Sequence, residues 1–492
     1  MRKKVLFTHS YFMRFDPKQW AWKQPYPPLA TILAAAVLRE MGYDVQLFDT
    51  MFAHGPDEVK PIIERFKPDY FIIYDDGFNY LTKMCLTNMR EAACSMANIA
   101  NQSGCKVIAS GSDSTDHTEK YLNNGVDFVI QGEAEETLTE LLSALDNNAT
   151  NFETIAGLSY KADEGNVYKT QARTLLKNLD ELPLPAWDLV DVDSYKKVWL
   201  SRWDYFSLNI ATTRGCPYKC NWCAKPIYGN AYNMRSAKNV VAELKMLQEK
   251  YGYNHIWFCD DIFGLRRNWV IEFTELVGKE GLQLRYKIQS RADLLVQEKY
   301  VEALANSGCE SVWMGAESGS QKILDAMDKG TTIEQIKQST RLLKQYGIKP
   351  AFFLQLGYPG ETMQDIESTI NLLNECLPDD IGISVSYPLP GTSFYEKVKS
   401  ELKTKSNWTD SDELALMFKS TYSPQFYKQL HRYIHKQYRM QQAYEGWQNL
   451  FTNPMQTNLA TLKRAASVAY YVPATIIAKQ KLKHIEHAAS GF

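Results

Sequence analysis

The sequence has no uninterrupted apolar run of about 18 residues, so no segment reads as crossing a membrane. Its basic start, MRKKVLFTHSYFMRFD, leads into no apolar stretch of adequate length, which argues against a signal peptide. Net charge is only -2, so no basic field recruits nucleic acid and no such partner is expected. Cysteines number nine, an odd count that does not read as a disulfide framework, so a reducing, cytoplasmic setting is expected. Zinc ribbons use two Cys-x2-Cys pairs, and there is no second pair here. At 492 residues the chain is too long for one ordinary core, so two or three domains are expected.

Three of the cysteines are nonetheless crowded into Arg214-Gly215-Cys216-Pro217-Tyr218-Lys219-Cys220-Asn221-Trp222-Cys223, just after the apolar run Phe206 to Thr213. A strand ending in a loop on which Cys216, Cys220 and Cys223 converge is a claw for a soft metal centre. A four-iron cluster held by three thiolates leaves one iron open to a ligand that is not protein. The alternative is a structural zinc site completed by His255 or Cys259.

Residues 1–150 alternate short apolar runs with helical stretches. The runs are Lys4 to Thr8, Tyr43 to Phe48, Tyr70 to Tyr74, Lys106 to Ala109 and Phe128 to Ile130, and Leu29 to Met41 has helical spacing stopped by Gly42. This pattern predicts a doubly wound, Rossmann-like parallel sheet whose ligands bind outside the carboxyl ends of the strands. Residues 151–195 read as a hairpin, Leu158 to Thr170 with a turn at Asp163-Glu164-Gly165-Asn166, and a linker stiffened by Pro183 and Pro185. From 196 to 400, six strand-like runs alternate with amphipathic helices: Phe206–Thr213, His255–Cys259, Tyr286–Ser290, Ser311–Gly315, Pro350–Leu356 and Ile381–Ser386. Six such units predict a partial (β/α)6 barrel with its chemistry at the carboxyl ends of the strands.

Those ends hold the informative residues. Asp260 and Asp261 follow the second run, where two adjacent acids hold a cation such as an ammonium, or cap a helix. Arg291 follows the third, Glu317 and Ser318 the fourth, and Gly357-Tyr358-Pro359-Gly360-Glu361-Thr362 the fifth. Taken singly, Glu317 also fits a salt bridge in the barrel mouth.

The cysteine spacing and these strand-end phrases resemble the radical S-adenosylmethionine (SAM) superfamily. The resemblance implies a [4Fe-4S] cluster on Cys216, Cys220 and Cys223 that splits SAM into a 5′-deoxyadenosyl radical. It implies Asp260 and Asp261 at the SAM amino group, Arg291 at its carboxylate, and Glu317 with Ser318 beside its ribose and methionine. Gly357 lets backbone approach the ligand. Trp222 packs near the adenine or, as the alternative, behind the loop. A small-molecule substrate and an electron donor such as flavodoxin or ferredoxin follow from the same likeness. No catalytic residue is assigned.

The first 145 residues resemble the cobalamin-binding domains fused to many radical SAM enzymes. The matching pieces are Tyr26-Pro27-Pro28-Leu29-Ala30, Gly42-Tyr43-Asp44-Val45 running to Asp49, and Gly125-Val126-Asp127-Phe128-Val129-Ile130-Gln131-Gly132-Glu133-Ala134-Glu135. They imply cobalamin as a further cofactor. The Asp-x-His-x-x-Gly signature of cobalt-ligating domains is met only at His9, in Phe7-Thr8-His9-Ser10-Tyr11-Phe12, without the Asp that would orient the ring. His9 is therefore expected as a pocket wall. Ala109-Ser110-Gly111-Ser112-Asp113 replaces the usual Gly-Gly pair with small residues that still admit a flat ligand. The alternative is a domain that keeps the fold without the cofactor.

Residues 401–492 read as a helical extension closing over the substrate. Phe426 to Trp447 has apolar residues at helical spacing, with His431 and His435 four apart and expected at the surface. Ala465 to Ala478, flanked by Lys463-Arg464 and Lys479-Gln480-Lys481-Leu482-Lys483, reads as a docked terminal helix or as a peripheral contact with an anionic membrane. The second reading makes a lipid-like substrate plausible. The function expected is cobalamin-dependent methylation of an unactivated carbon. Its rivals are an oxidoreductase or cyclase of the same architecture and a non-catalytic metal-binding scaffold.

Overall fold

A computed structural model describes residues 2–162, 165–402, 404–452 and 458–489. The first sheet holds β1 (Lys4–Thr8), β2 (Asp44–Phe48), β3 (Tyr70–Tyr74), β4 (Lys106–Ser110) and β5 (Phe128–Ile130) in the parallel order β2-β1-β3-β4-β5. All five residues of the central β3 are buried, as an apolar run covered on both faces requires. Helices α1 (Leu29–Glu40), α2 (Thr87–Gln102) and α3 (Glu135–Asp146) connect the strands. The strand order reverses between β1 and β3, the point at which sheets of this kind bind their ligands.

The hairpin expected in the connector forms from β6 (Leu158–Lys161) and β7 (Val167–Lys169), but it extends this first sheet. β6 runs antiparallel to β5, with Ser159 opposite Val129. Pairing there covers an edge that would otherwise stand open. Asp163 and Glu164 of the expected turn lie outside the described residues.

The linker is packed into the core. Trp187 is buried and its Nε1 donates to Glu243 at 3.1 Å. On α4 (Val192–Leu200), buried Trp199 donates to the Pro25 carbonyl at 2.8 Å. The Tyr26 ring sits 5.4 Å from Trp199 and 4.7 Å from Trp257 of the second domain. One apolar core therefore runs from the first sheet through the linker into the barrel.

The second sheet has six parallel strands in the order β13-β12-β11-β10-β9-β8 and does not close. They are β8 (Ser207–Ile210), β9 (His255–Phe258), β10 (Tyr286–Ser290), β11 (Cys309–Glu317), β12 (Lys349–Leu356) and β13 (Asp380–Val385). The first expected run breaks after Ile210, and Thr213–Arg214 pairs instead with Asn233–Met234. Helices α5 (Ala237–Tyr251), α6 (Arg267–Lys279), α7 (Glu298–Asn306), α8 (Ile333–Gln345) and α9 (Met363–Cys376) follow successive strands. The C-terminal part is α10 (Pro424–Thr452), which packs on α9 and hydrogen-bonds beside the start of β13, then α11 (Leu459–Ala466) and α12 (Val468–Ala489), which fold back on α10.

Candidate active site

Asp260 fixes where the cysteine loop begins. It follows β9, is buried, and accepts from Thr212 N at 2.7 Å, Thr213 N at 2.8 Å and Thr212 Oγ1 at 2.6 Å. These bonds tie the break after β8 to the neighbouring strand end. Burial still pushes the carboxyl up to about 6, with the threonine donors opposing it. Gly215 then turns at φ +81, where a Cβ would lie 2.3 Å from the Ala231 carbonyl.

Asn221, between Cys220 and Trp222, knots the loop to the barrel. Its Nδ2 donates to Ala326 O at 2.7 Å and Asp328 at 2.9 Å, its Oδ1 accepts from Tyr358 at 2.9 Å, and its N–H and carbonyl bond Met327 and Phe394. Lys225 closes the other side, donating to Cys216 O at 3.0 Å, Asn230 at 2.7 Å and the Tyr218 carbonyl. The sequence gives no local signal for either anchor.

Cys216, Cys220 and Cys223 are all free thiols. Burial and then Asp261 push Cys223 up to about 12, and burial raises Cys216. A cationic centre displaces such protons. The surroundings suit that exchange. Arg291 Nη1 lies 3.9 Å from Cys220 Sγ, Lys329 feels Cys220, and Lys83 feels Cys223. These cations offset the charge that three thiolates bring. The zinc alternative finds no support in placement. His255 stands at the start of β9, away from the loop, bonded to Ser207 at 2.8 Å, and Cys259 Sγ is turned to the Ile210 carbonyl at 3.3 Å. Three thiols on one loop with cations beside them are the kind of donor set an iron–sulfur cluster takes.

The other expected residues are brought to the same end of the sheet. Arg291 is buried, stacks on Tyr218 at 3.5 Å, and donates to Asp293 at 3.0 Å and Lys329 O at 2.9 Å. Glu317 ends β11 at φ +57 and accepts from Lys329 at 2.8 Å. A side chain at Gly315 would strike both groups at 2.4 Å. Ser318 lies 3.2 Å from Thr369 Oγ1 and accepts from Ser320 N at 3.1 Å. Gly357 donates to Glu361 at 2.7 Å from φ +78. Trp222 lies 5.9 Å from Lys329 Nζ, against the small cluster of Ile323, Met327 and Phe394. Its Nε1 on the cysteine loop, and Gln355 Oε1 and Ser386 Oγ at the ends of β12 and β13, are buried without a partner. Each such group costs about 1–3 kcal/mol, which a bound polar ligand recovers. These orphaned groups suit a polar ligand such as SAM.

The first sheet lies against this mouth. Arg214, the residue before Gly215, is buried against Glu135 at 2.7 Å and against Glu133, both just beyond β5. Lys83, ending the short helix Tyr80–Lys83 after β3, reaches Asp261 at 2.6 Å. Phe78 stacks on Tyr228 at 5.7 Å. The stretch after the barrel joins in: Thr87 N donates to Trp408 O at 2.9 Å, and Trp408 stacks on Tyr387 at 4.2 Å.

At the ligand edge of the first sheet, Ser112 Oγ and Thr115 Oγ1 are buried without a partner. Asp75 occupies the space beside Gly111 and accepts from Ser10 N at 2.8 Å. The small residues around Gly111 thus meet protein on that side. His9 has the orienting acid that its own motif lacks. Its Nε2 pairs with Asp49 at 2.9 Å and its Nδ1 with Thr50 at 3.1 Å. Asp49 also accepts from Tyr195 of α4 at 2.7 Å. His9 therefore ties two strand ends to the linker.

The Radical SAM superfamily model matches residues 210–373. The chain is 30% identical over 389 residues, 78% of its length, to a methyltransferase of uncharacterised activity from Pyrococcus horikoshii, of which it covers 81%. It is 26% identical to the anaerobic magnesium-protoporphyrin IX monomethyl ester cyclase of Rubrivivax gelatinosus, covering 77% of this chain and 67% of the cyclase. Its fold matches the cobalamin-dependent radical enzyme OxsB, solved with aqua-cobalamin and SAM bound, at a TM-score of 0.72 and 16% identity, over 97% of this chain and 72% of that one. With its cysteine loop, open six-stranded barrel and preceding doubly wound sheet, the chain is an enzyme of the radical SAM superfamily that carries a doubly wound domain ahead of the barrel.

Proposed function

We propose that this enzyme methylates an unactivated carbon of a small molecule in a cobalamin-dependent reaction. The observation that carries the reading is the clamp of Arg214 by Glu133 and Glu135. It sets the ligand edge of the first sheet against the strand ends that bear the cysteines. A cofactor on one edge then lies over a cofactor on the other.

When bound, the cluster and SAM supply a 5′-deoxyadenosyl radical and cobalamin supplies a methyl group. The chain positions them. Cys216, Cys220 and Cys223 hold the cluster. Arg291 takes the SAM carboxylate beside Cys220, Asp261 its ammonium, and Glu317 with Ser318 its ribose. Gly357 admits backbone close to the ligand, and Trp222 walls the adenine. Asp260, whose oxygens are taken by Thr212 and Thr213, holds the loop that presents the thiols. Ser112 and Thr115 are the free hydroxyls for cobalamin on the first sheet, and we assign no cobalt ligand to His9. The stacked pairs Phe78–Tyr228 and Tyr387–Trp408 keep water from the space between. A small redox protein such as flavodoxin or ferredoxin is the proposed reductant.

A second reading, ring closure or oxidation without methyl transfer, is favoured by the cyclase relative. Anaerobic reconstitution with iron, sulfide and hydroxocobalamin, followed by methyl-labelled SAM, reductant and a metabolite extract, separates the two. Labelled product with S-adenosylhomocysteine and 5′-deoxyadenosine supports methylation. 5′-Deoxyadenosine with an unlabelled, oxidised product supports the second reading. No SAM cleavage leaves a scaffold.

A further inference from the structure

The helix α12 is apolar on two opposite faces. Thr475, Ala478 and Leu482 are buried against α10, where Gln429 donates to the Ala478 carbonyl at 2.9 Å. At 100° per residue, Ala469, Tyr470, Pro473, Ile476 and Ile477 share the side opposite that stripe. All five are exposed, Tyr470 at 63%, Ile476 at 54% and Ile477 at 50%. On α11, Leu459 and Leu462 are likewise exposed, at 67% and 49%. Scattered exposed apolar residues need no explanation, but five on one face of a single helix do.

Charge indicates what covers it. Lys463 follows the apolar residues of α11, and Lys479, Lys481 and Lys483 follow those of α12; all four are exposed, whereas Arg464 turns to Gly446 of α10 with Asp379 and Glu445 nearby. Against these four lysines residues 458–489 carry a single carboxylate, Glu486. Lys479 and Lys483 fall on one side of the outer apolar stripe and Lys481 on the other. An apolar stripe bordered by lysines is the pattern of a helix lying in a bilayer interface. A protein partner would need matching carboxylates and an apolar patch, whereas an anionic bilayer supplies both requirements as one surface. No helix among the described residues is long and apolar enough to span, so the contact is peripheral.

We propose that the outer face of α11 and α12 docks this enzyme on an anionic phospholipid surface. The inference does not depend on the reaction catalysed. It is tested by flotation of the full chain with vesicles of phosphatidylcholine alone and with about 30% phosphatidylglycerol added. The protein is expected to float with the anionic vesicles and to stay behind with the neutral ones. Ile476→Asn with Ile477→Asn, and separately the triple change Lys479→Glu, Lys481→Glu and Lys483→Glu, are each expected to lower the bound fraction about tenfold, since both apolar burial and charge contribute. These positions are exposed, so the melting midpoint should not move. The proposal is overturned by absence of flotation with anionic vesicles, by equal flotation with both kinds, or by variants that float like the parent. A dimeric mass in solution that becomes monomeric in the isoleucine variant, without flotation, would instead assign the face to a second copy.

Discussion

Arg214 and Glu135 form a 2.7 Å ion pair in which both side chains are at most 4% exposed, joining the residue before the cysteine loop to the first turn of the helix after β5. Glu133 holds the other side of the same guanidinium. The pair is therefore a hinge pin between the two domains at the point where their ligand edges meet. Removing one partner of a buried pair leaves an uncompensated charge and costs about 3–5 kcal/mol. Glu135→Ala is expected to lower stability by that amount and to expose the linker to protease, whereas Glu136→Ala, one residue on at an exposed ion pair, should change it by less than about 1 kcal/mol. Denaturant titration and limited proteolysis of the two variants make the comparison.

Asn221 is expected to matter for the cluster more than for the fold. Its side chain makes three hydrogen bonds that hold the loop between Cys220 and Cys223. Asn221→Ala leaves Tyr358 still donating to the Ala326 carbonyl at 2.9 Å and Asp328 open to solvent, so its cost to the fold is about 1 kcal/mol. Iron retained after anaerobic reconstitution should fall several-fold while the far-ultraviolet circular dichroism stays unchanged.

The adjacent acids at the end of β9 should separate in their effects. Asp260→Ala strands two backbone amides and a hydroxyl, so it is expected to destabilise the chain and to lower iron content. Asp261→Asn loses only a part-exposed tie to Lys83, at 34% and 24% exposure, worth less than about 1 kcal/mol. Its expected effect is a raised SAM dissociation constant in a well-folded, iron-loaded protein. Isothermal titration alongside iron analysis distinguishes the two.

Acid should loosen the C-terminal lobe. The rings of His431 and His435 lie 4.5 Å apart on α10, and burial holds both down to about 4, with His431 adding to the effect at His435. The unfolded chain binds protons near pH 6.5, as ordinary histidines do, and the folded chain does not. Their contribution is therefore fully present above about pH 6.5 and is lost as pH falls toward 4. Replacing both with Gln should flatten the fall in melting midpoint between about pH 6.5 and 4.5.

The strands were legible in the sequence because each is a short, largely apolar run rich in β-branched and aromatic residues, and the six barrel strands stand where those runs lie. The cysteine loop was legible because three thiols at that spacing have few other uses. Contacts that depend on two distant segments meeting were not. His9 lacks an acid two residues upstream, so its partner could not be read from its own motif. The parallel register that sets Thr8 beside Phe48 brings Asp49 to it from forty residues away. Arg214 meets Glu135 across 79 residues for the same kind of reason. The hairpin at Leu158 reads as local, yet its first strand is held by β5, and no turn signal reveals which sheet a hairpin will join.

The most direct test of the account is the iron centre itself. Anaerobically reconstituted protein should carry about four iron and four sulfide per chain and, once reduced, cleave SAM to 5′-deoxyadenosine, and Ala at Cys216, Cys220 or Cys223 should abolish that cleavage. Cleavage retained in any one of the three, or zinc bound without sulfide, would contradict it.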